Sequence, residues 1–525
     1  MEVNVIRKKL SRVRSRVAYV YPSTYNAMLS GLAPDIIYTL VNKYEDVYLE
    51  RFTCKSLYGP EEEPRSLETG SKLRDFSLIL TSLHFELDTV NLLRLFMAGG
   101  IEVFSSKRNE QVVVAGGPVI MENPVPYSDI IDVFVIGEAE VTLHRVVELW
   151  LEHSDNKKRF LEAVSELRYV YVPGLTSSDV VREYVRDLDS IPHPVRQVEN
   201  TEVEPVYGRG FKLEVSRGCL FHCSFCIETR VFQPYRERSL GVLKAIVEEG
   251  LKYSISGKRL ILYSLSFPVT RTHVGFLEYL VNEGFTASLP SLRLSHRLLE
   301  SLELIKSLGQ RTLTIAPESF SHLLHSVFFK YTGLVDYVVS SIKSLLDAGF
   351  DLKLYLIYGV KGLSASEIYR DVETFREIVK YAKSRGRRVS VTLNPLVPKP
   401  HTVFQWIGMP SKDVLESQLR VYRGALRGFV ETRPYDVDLA VIQAQVALAP
   451  KPLGKFLALW AKHGGGLAGW RRAVKELSGE FTLDYVFSGY QFEKELPWSF
   501  IRLGDVSDRA TLSQYEVVKR FLKSQ

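Results

Sequence analysis

Apolar positions along the chain fall into two successive series in which short β-like runs alternate with helically spaced segments. In the first, residues 17–21, 46–50, 77–82, 112–117 and 131–136 predict strands, and 34–43, 89–98 and 140–152 predict helices. The run 77–82 is continuous, as in a strand covered on both faces. This alternation predicts an open, doubly wound, Rossmann-like sheet with ligands at the carboxyl ends of its strands. Those ends carry Ser23, Thr24 and Tyr25, then Ser82 and His84, then Gly116 and Gly117, then Gly137 and Glu138.

The second series predicts strands over 211–215, 258–264, 286–294, 311–316, 352–358 and 389–393. Helices are expected over 238–249, 272–282, 295–308, 335–348 and 365–384. Six strand–helix units predict a partial (β/α)6 barrel, whose chemistry belongs at the C-terminal strand ends. Between the series, Pro192, Pro194 and Pro205 punctuate a stretch with one short strand over 169–172. Helices over 411–431, 451–460 and 467–477 form a tail, in which Trp460, Trp470 and Trp498 read as core anchors. The fold class is α/β. The expected domains are a doubly wound unit over 1–154, a linker over 155–210, the barrel over 211–408 and a mostly helical tail over 409–525.

Composition narrows the function classes. With 67 basic and 61 acidic residues the net charge is +6, too mild to demand a nucleic-acid partner. The basic run 7–16 reads as a solvated arm, with nucleic acid or anionic lipid as the alternative. No run of 18 uncharged apolar residues marks a membrane span, and the N-terminus has no signal-peptide core. Four cysteines in 525 residues exclude a disulfide scaffold, and a reducing, cytoplasmic setting is expected.

Three of those cysteines, Cys219, Cys223 and Cys226, have the spacing C-x3-C-x2-C directly after a predicted strand. Gly218 lets the backbone turn tightly ahead of them. Cysteine thiolates hold iron–sulfur clusters, and three of them leave one iron of a [4Fe–4S] cube for another ligand. Zinc is an alternative, with His222 or the distant Cys54 as fourth ligand, and a disulfide leaves an odd thiol.

The cysteine motif, with Phe225 before its last member, resembles the radical S-adenosylmethionine (SAM) superfamily. The resemblance implies that SAM chelates the open iron and is split by one electron to a 5′-deoxyadenosyl radical, which abstracts hydrogen from the substrate. Phe225 and Glu318 resemble the superfamily's SAM contacts, Glu318 being alternatively a charge at the next helix's N-terminus. The other strand ends offer SAM Ser264 and Ser266 as polar lining, Ser291 and Arg293 for a carboxylate, with a rim salt bridge as the alternative for Arg293, and the Gly359 backbone. The phrase 398–406, PKPHTVFQW, is similar to a loop of several such families and makes His401 a candidate substrate contact. Catalytic residues beyond the cysteines are not assigned.

The phrases AGGPVIMENP and DVFVIGEAE make the first unit resemble the cobalamin-binding domains that precede many radical SAM barrels. Ser23, Thr24, Tyr25, Ser82, His84, Gly116, Gly117, Gly137 and Glu138 then become its corrin contacts. No Asp-x-His-x-x-Gly stretch offers cobalt a lower histidine. The tail phrases GGGLAGW and LPWSFIRLG resemble one uncharacterised group of this kind. The implied activity is cobalamin-dependent methylation of an unactivated carbon, with a ferredoxin- or flavodoxin-like electron donor. The rivals are a cobalamin-independent enzyme acting on RNA, as methylthiotransferases do, or coupling a lipid chain, and a non-catalytic iron–sulfur protein.

Overall fold

The structure, a computed structural model, describes residues 1–427, 431–477 and 485–523. Its first sheet contains β1 (Ser15–Thr24), β2 (Val47–Cys54), β3 (Leu78–Ser82), β4 (Val112–Gly116), β5 (Val133–Val135) and β6 (Val170–Tyr171). Their spatial order is β2-β1-β3-β4-β5-β6, with β1–β5 parallel and β6 antiparallel at the edge. All five residues of β3 are buried, as its uninterrupted sequence implies. The order reverses between β1 and β3, so their carboxyl ends form the topological switch point where such sheets bind ligands. Helices α1 (Ala33–Asn42) and α3 (Ala139–His153) cover one face of this sheet, and α2 (Asp88–Gly99) covers the other.

The barrel strands are β7 (Phe211–Glu214), β8 (Arg259–Tyr263), β9 (Thr286–Ser288), β10 (Thr312–Glu318), β11 (Asp351–Tyr358), β12 (Val389–Pro395) and β13 (Glu431–Pro434). Two parallel groups, β7-β8-β9 and β10-β11-β12-β13, meet where Leu292 bridges to both Phe267 and Ile315. Among the described residues no ladder joins β13 back to β7, so the barrel is open. The third strand is shorter than expected because Pro290 has no N–H for the ladder. The expected helix over 411–431 is α8 (Lys412–Leu426), residues 428–430 lie outside the described residues, and Glu431 already begins a seventh strand.

The tail is α9 (Val437–Ala447), α10 (Gly454–Lys462), α11 (Gly466–Glu476) and α12 (Asp505–Lys523). It is not a free appendage. Leu457, Trp460 and Ala473 share one core with Leu93 and Phe96 of α2, so the chain's end closes the open face of its first sheet. Periodicity predicts an amphipathic helix but not its partner, which here lies over 350 residues away in sequence.

Candidate active site

The cysteine loop leaves the C-terminal end of β7. Ser216–Arg217 pairs with Arg236–Glu237 and pinches the loop at its base. Gly218 sits just inside this pinch with φ +79°, and a Cβ there would lie 2.5 and 2.6 Å from the carbonyl oxygens of Phe232 and Pro234. Only glycine fits, on both backbone and space grounds.

The pinch is clamped from the first domain. Arg217 donates to Glu138 at 2.7 Å, to Glu140 at 2.6 Å and to Glu214 at 2.8 Å, and Arg236 donates to Glu138 at 2.9 Å. Arg182 adds a third cation 3.8 Å from Glu138. Burial opposes charge on Arg217 and Glu214, but their mutual attraction prevails, holding Arg217 well above and Glu214 below its ordinary value.

Further along, the loop is fixed by its own backbone. The Ser224 N–H donates to Phe328 at 3.0 Å, and Ser224 accepts from Val403 of the PKPH segment at 3.2 Å. Gln233 donates to the Cys219 carbonyl at 2.7 Å, and Thr229 to that of Cys226 at 2.8 Å. Arg293 stacks 3.4 Å from the Phe221 ring centroid and 4.6 Å from that of Tyr331. Its position supports the loop rather than the cavity below.

All four cysteines are free. Burial pushes the Cys226 thiol up to about 12 and Cys223 in the same direction, so metal loading must displace their protons. Lys330 and Arg293 face Cys223, and Arg230 faces both Cys223 and Cys226. The Arg230 Nε and Nη1 donors are buried and have no acceptor. Three thiols ringed by cations, one with orphaned donors, fit an anionic iron–sulfur cluster. Among the described residues no three His, Cys, Asp or Glu side chains converge on a single ion. Cys54 has Glu61, Asp88 and Arg94 as its charged neighbours, none of them in the loop.

Beside the loop opens a cavity of about 340 Å³. Phe225, Ser291 and Glu318 line it, together with Tyr355, Asn394 and Val397. Pro317 cannot donate to the ladder, the register with β11 shifts between Ile315 and Glu318, and Glu318 takes φ +66°. That bulge turns its carboxylate to Lys330, 2.8 Å away. Sequence reasoning missed Tyr355 and Asn394, since nothing in a barrel strand's pattern marks its inward polar positions.

Besides Arg293, three residues assigned to SAM or substrate lie outside this cavity. Ser264 is engaged by Ser216 at 2.7 Å and by the Ser266 carbonyl at 2.9 Å. The Gly359 N–H donates to Gln418 at 3.0 Å, and Leu415 fills the space a Cβ would need, so this backbone faces α8. His401 is kept neutral, its pKa drawn down to about 4 by burial, so its Nε2–H donates to the Glu122 carbonyl at 3.1 Å. It ties the PKPH loop to the first domain. Lys399 of the same loop, which sequence reasoning missed, contacts Glu86 and lies 3.4 Å from Glu122.

At the first sheet, Ser82 and the exposed His84 stand at the switch point, with the His84 ring 6.2 Å from that of Tyr21. Ser23 is nearby on β1, while Thr24 donates to Asn26 and Tyr25 to Glu2 at 2.6 Å. Gly116 continues into Gly117, which approaches the Leu83 backbone, leaving no room for a Cβ at 2.5 Å. Gly137 is covered by the Glu183 backbone, and Glu138 is committed to its arginines. Of the predicted contacts, Ser82 and His84 thus stand at the β1–β3 switch point, while the Gly137–Glu138 end is closed.

Residues 33–173 match the family of radical SAM proteins, N-terminal, and residues 213–375 match the radical SAM superfamily, together more than half the chain. An uncharacterized protein of Methanocaldococcus jannaschii is 29% identical over 390 residues, covering 74% of this chain and 79% of that one. The bacteriochlorophyllide d C-8(2)-methyltransferase of Chlorobaculum tepidum is 25% identical over 303 residues, 55% of each chain. Among solved structures, the radical S-adenosylmethionine methyltransferase TsrM of Kitasatospora setae matches at 13% identity over 72% of both chains, TM-score 0.46. The cobalamin-dependent S-adenosylmethionine radical enzyme OxsB matches at 11% identity over 97% of this chain and 80% of its own, TM-score 0.47.

Proposed function

The chain belongs to the radical SAM superfamily and is one of its enzymes, and from that premise we propose a cobalamin-dependent methyltransferase acting on an unactivated carbon. The observation that carries the radical chemistry is the cysteine loop at the end of β7, opening beside a cavity of about 340 Å³ that holds Phe225 and Glu318. When bound, a cluster with SAM supplies one-electron cleavage, and methylcobalamin supplies a methyl group.

The chain's own residues bind and orient. Cys219, Cys223 and Cys226 hold the cluster. Glu318, paired with Lys330, would accept from the ammonium or ribose hydroxyls of SAM, with Ser291 and Asn394 as further polar contacts. Phe225 and Val397 give the cavity apolar walls. The PKPH loop, pinned by His401 and Lys399, excludes water from one side. Ser82, His84 and Tyr21 would hold the corrin at the switch point. A ferredoxin- or flavodoxin-like donor reaches the cluster beside Leu220, which is 47% exposed on the loop.

The closed Gly137–Glu138 end favours a second reading, in which the first sheet only shapes the substrate cavity. Anaerobic reconstitution with iron, sulfide and hydroxocobalamin separates the two. Corrin absorption retained through desalting, with labelled methyl passing from SAM to an organic acceptor, supports the first. Four irons without corrin support the second and move the substrate search to RNA and lipid chains.

A further inference from the structure

Arg230 lies four residues after Cys226, on the one-turn helix Glu228–Val231, and its side chain is fully buried. A buried guanidinium normally meets a carboxylate. Here, among the described residues, no carboxylate comes within ion-pair distance, and the charged groups it senses are Cys226, Cys223 and Asp508. Its one side-chain hydrogen bond runs from Nη2 to Gln514 Oε1 at 2.6 Å. Nε and Nη1 have no acceptor. The other cations near the thiols are engaged, Arg293 on the rings of Phe221 and Tyr331 and Lys330 with Glu318. Of these three cations, only Arg230 has buried donors without an acceptor among the described residues.

We propose that Arg230 is the counter-charge of the iron–sulfur cluster, donating from Nε and Nη1 to its sulfur atoms and stabilising its reduced state. The inference rests on the iron–sulfur reading above. Reduction adds one electron to a buried anion, so a fixed cation beside it raises the reduction potential. A guanidinium suits this because its fork presents two donors in one plane and stays charged when buried. Gln514 orients the fork. Its Oε1 accepts from Arg230 while its Nε2 donates to the His222 carbonyl of the cysteine loop. Gln514 belongs to α12, so the last helix holds the cation against the loop. Gln514, acting through Arg230, is the positioning residue.

The test is potentiometric titration, read by electron paramagnetic resonance, of the reconstituted full chain and its Arg230→Gln and Arg230→Lys variants. The expected result is a potential for Arg230→Gln lower by at least about 59 mV, a tenfold loss in the equilibrium constant for one-electron reduction. Arg230→Lys falls between it and the unaltered protein. An Arg230→Gln potential that coincides with the unaltered one overturns the proposal. If Arg230→Gln binds no cluster, the proposal stands only where Arg230→Lys restores full iron content; loss in both assigns Arg230 to packing and overturns it. An unaltered protein that takes up no cluster overturns the iron–sulfur reading instead.

Discussion

Replacing Gly218 by alanine tests the loop geometry on which the site depends. The residue has φ +79°, a region that costs an alanine roughly 1–2 kcal/mol. Restricting the unfolded chain returns about 0.4–1 kcal/mol of that. The larger cost is steric, because the new Cβ would lie 2.5 and 2.6 Å from two backbone oxygens. Those oxygens are held in place, since Arg236 donates to the Pro234 carbonyl at 2.9 Å and to that of Phe232 at 3.1 Å. Relief therefore means shifting a clamped backbone, roughly 1–3 kcal/mol by analogy with overpacked cores. A net loss of about 1–5 kcal/mol is expected. Gly284→Ala is the control, with φ +73° and nothing within 4 Å of the added Cβ, and should cost about 1 kcal/mol or less. Urea midpoints of the metal-free proteins, with iron counts after reconstitution, read both effects. Gly218→Ala should unfold earlier than Gly284→Ala and bind less than half the normal iron. Equal midpoints with full iron in both would refute the steric argument.

Glu138→Ala should lower stability by about 3–5 kcal/mol, because Arg182, Arg217 and Arg236 then share a buried site without their common carboxylate. A thermal midpoint within a degree of the unaltered protein would show that the clamp is energetically idle. Glu318→Gln should weaken SAM binding about tenfold in equilibrium dialysis while leaving iron content intact, the size of one charge-assisted hydrogen bond; unchanged affinity would remove Glu318 from the SAM site. Asp88 is pushed up to about 7 by burial, so the folded state holds its proton over a range where the unfolded chain releases it. Stability from this group falls as pH rises from about 4 to 7, by at most about 4 kcal/mol. Asp88→Asn should flatten that part of the stability–pH curve, and identical curves would contradict the assignment.

Much of the barrel was legible because its signal is local. A strand, a glycine in the left-handed region and three thiols lie between Phe211 and Cys226, and the resemblance they carry implies the chemistry. Ser291 and Glu318 were legible because strand ends in a barrel converge, and Phe225 because it belongs to the cysteine motif. Ser264 and Gly359 sit at such ends too, but one hydroxyl is consumed by Ser216 and one backbone faces α8. No sequence pattern distinguishes an inward strand end from one covered by the next helix. Glu138 shows the same limit, since it has the position of a ligand contact and is spent on three arginines brought from residues 182, 217 and 236. The PKPH segment was legible as a loop, yet its inter-domain contacts through Lys399 and His401 depend on where Glu86 and Glu122 fold. The packing of α10 and α11 on α2 was invisible for the same reason. Amphipathic faces announce burial, not partners.

The central claim is a three-cysteine cluster with one iron open to SAM. It is tested most directly by electron paramagnetic resonance of the reduced, anaerobically reconstituted protein, recorded with and without SAM and paired with iron and sulfide counts. The account predicts about four irons and four sulfides per chain, a spectrum that changes when SAM is added, and loss of both in Cys226→Ser. Bound zinc without sulfide, or a cluster signal indifferent to SAM, would contradict it.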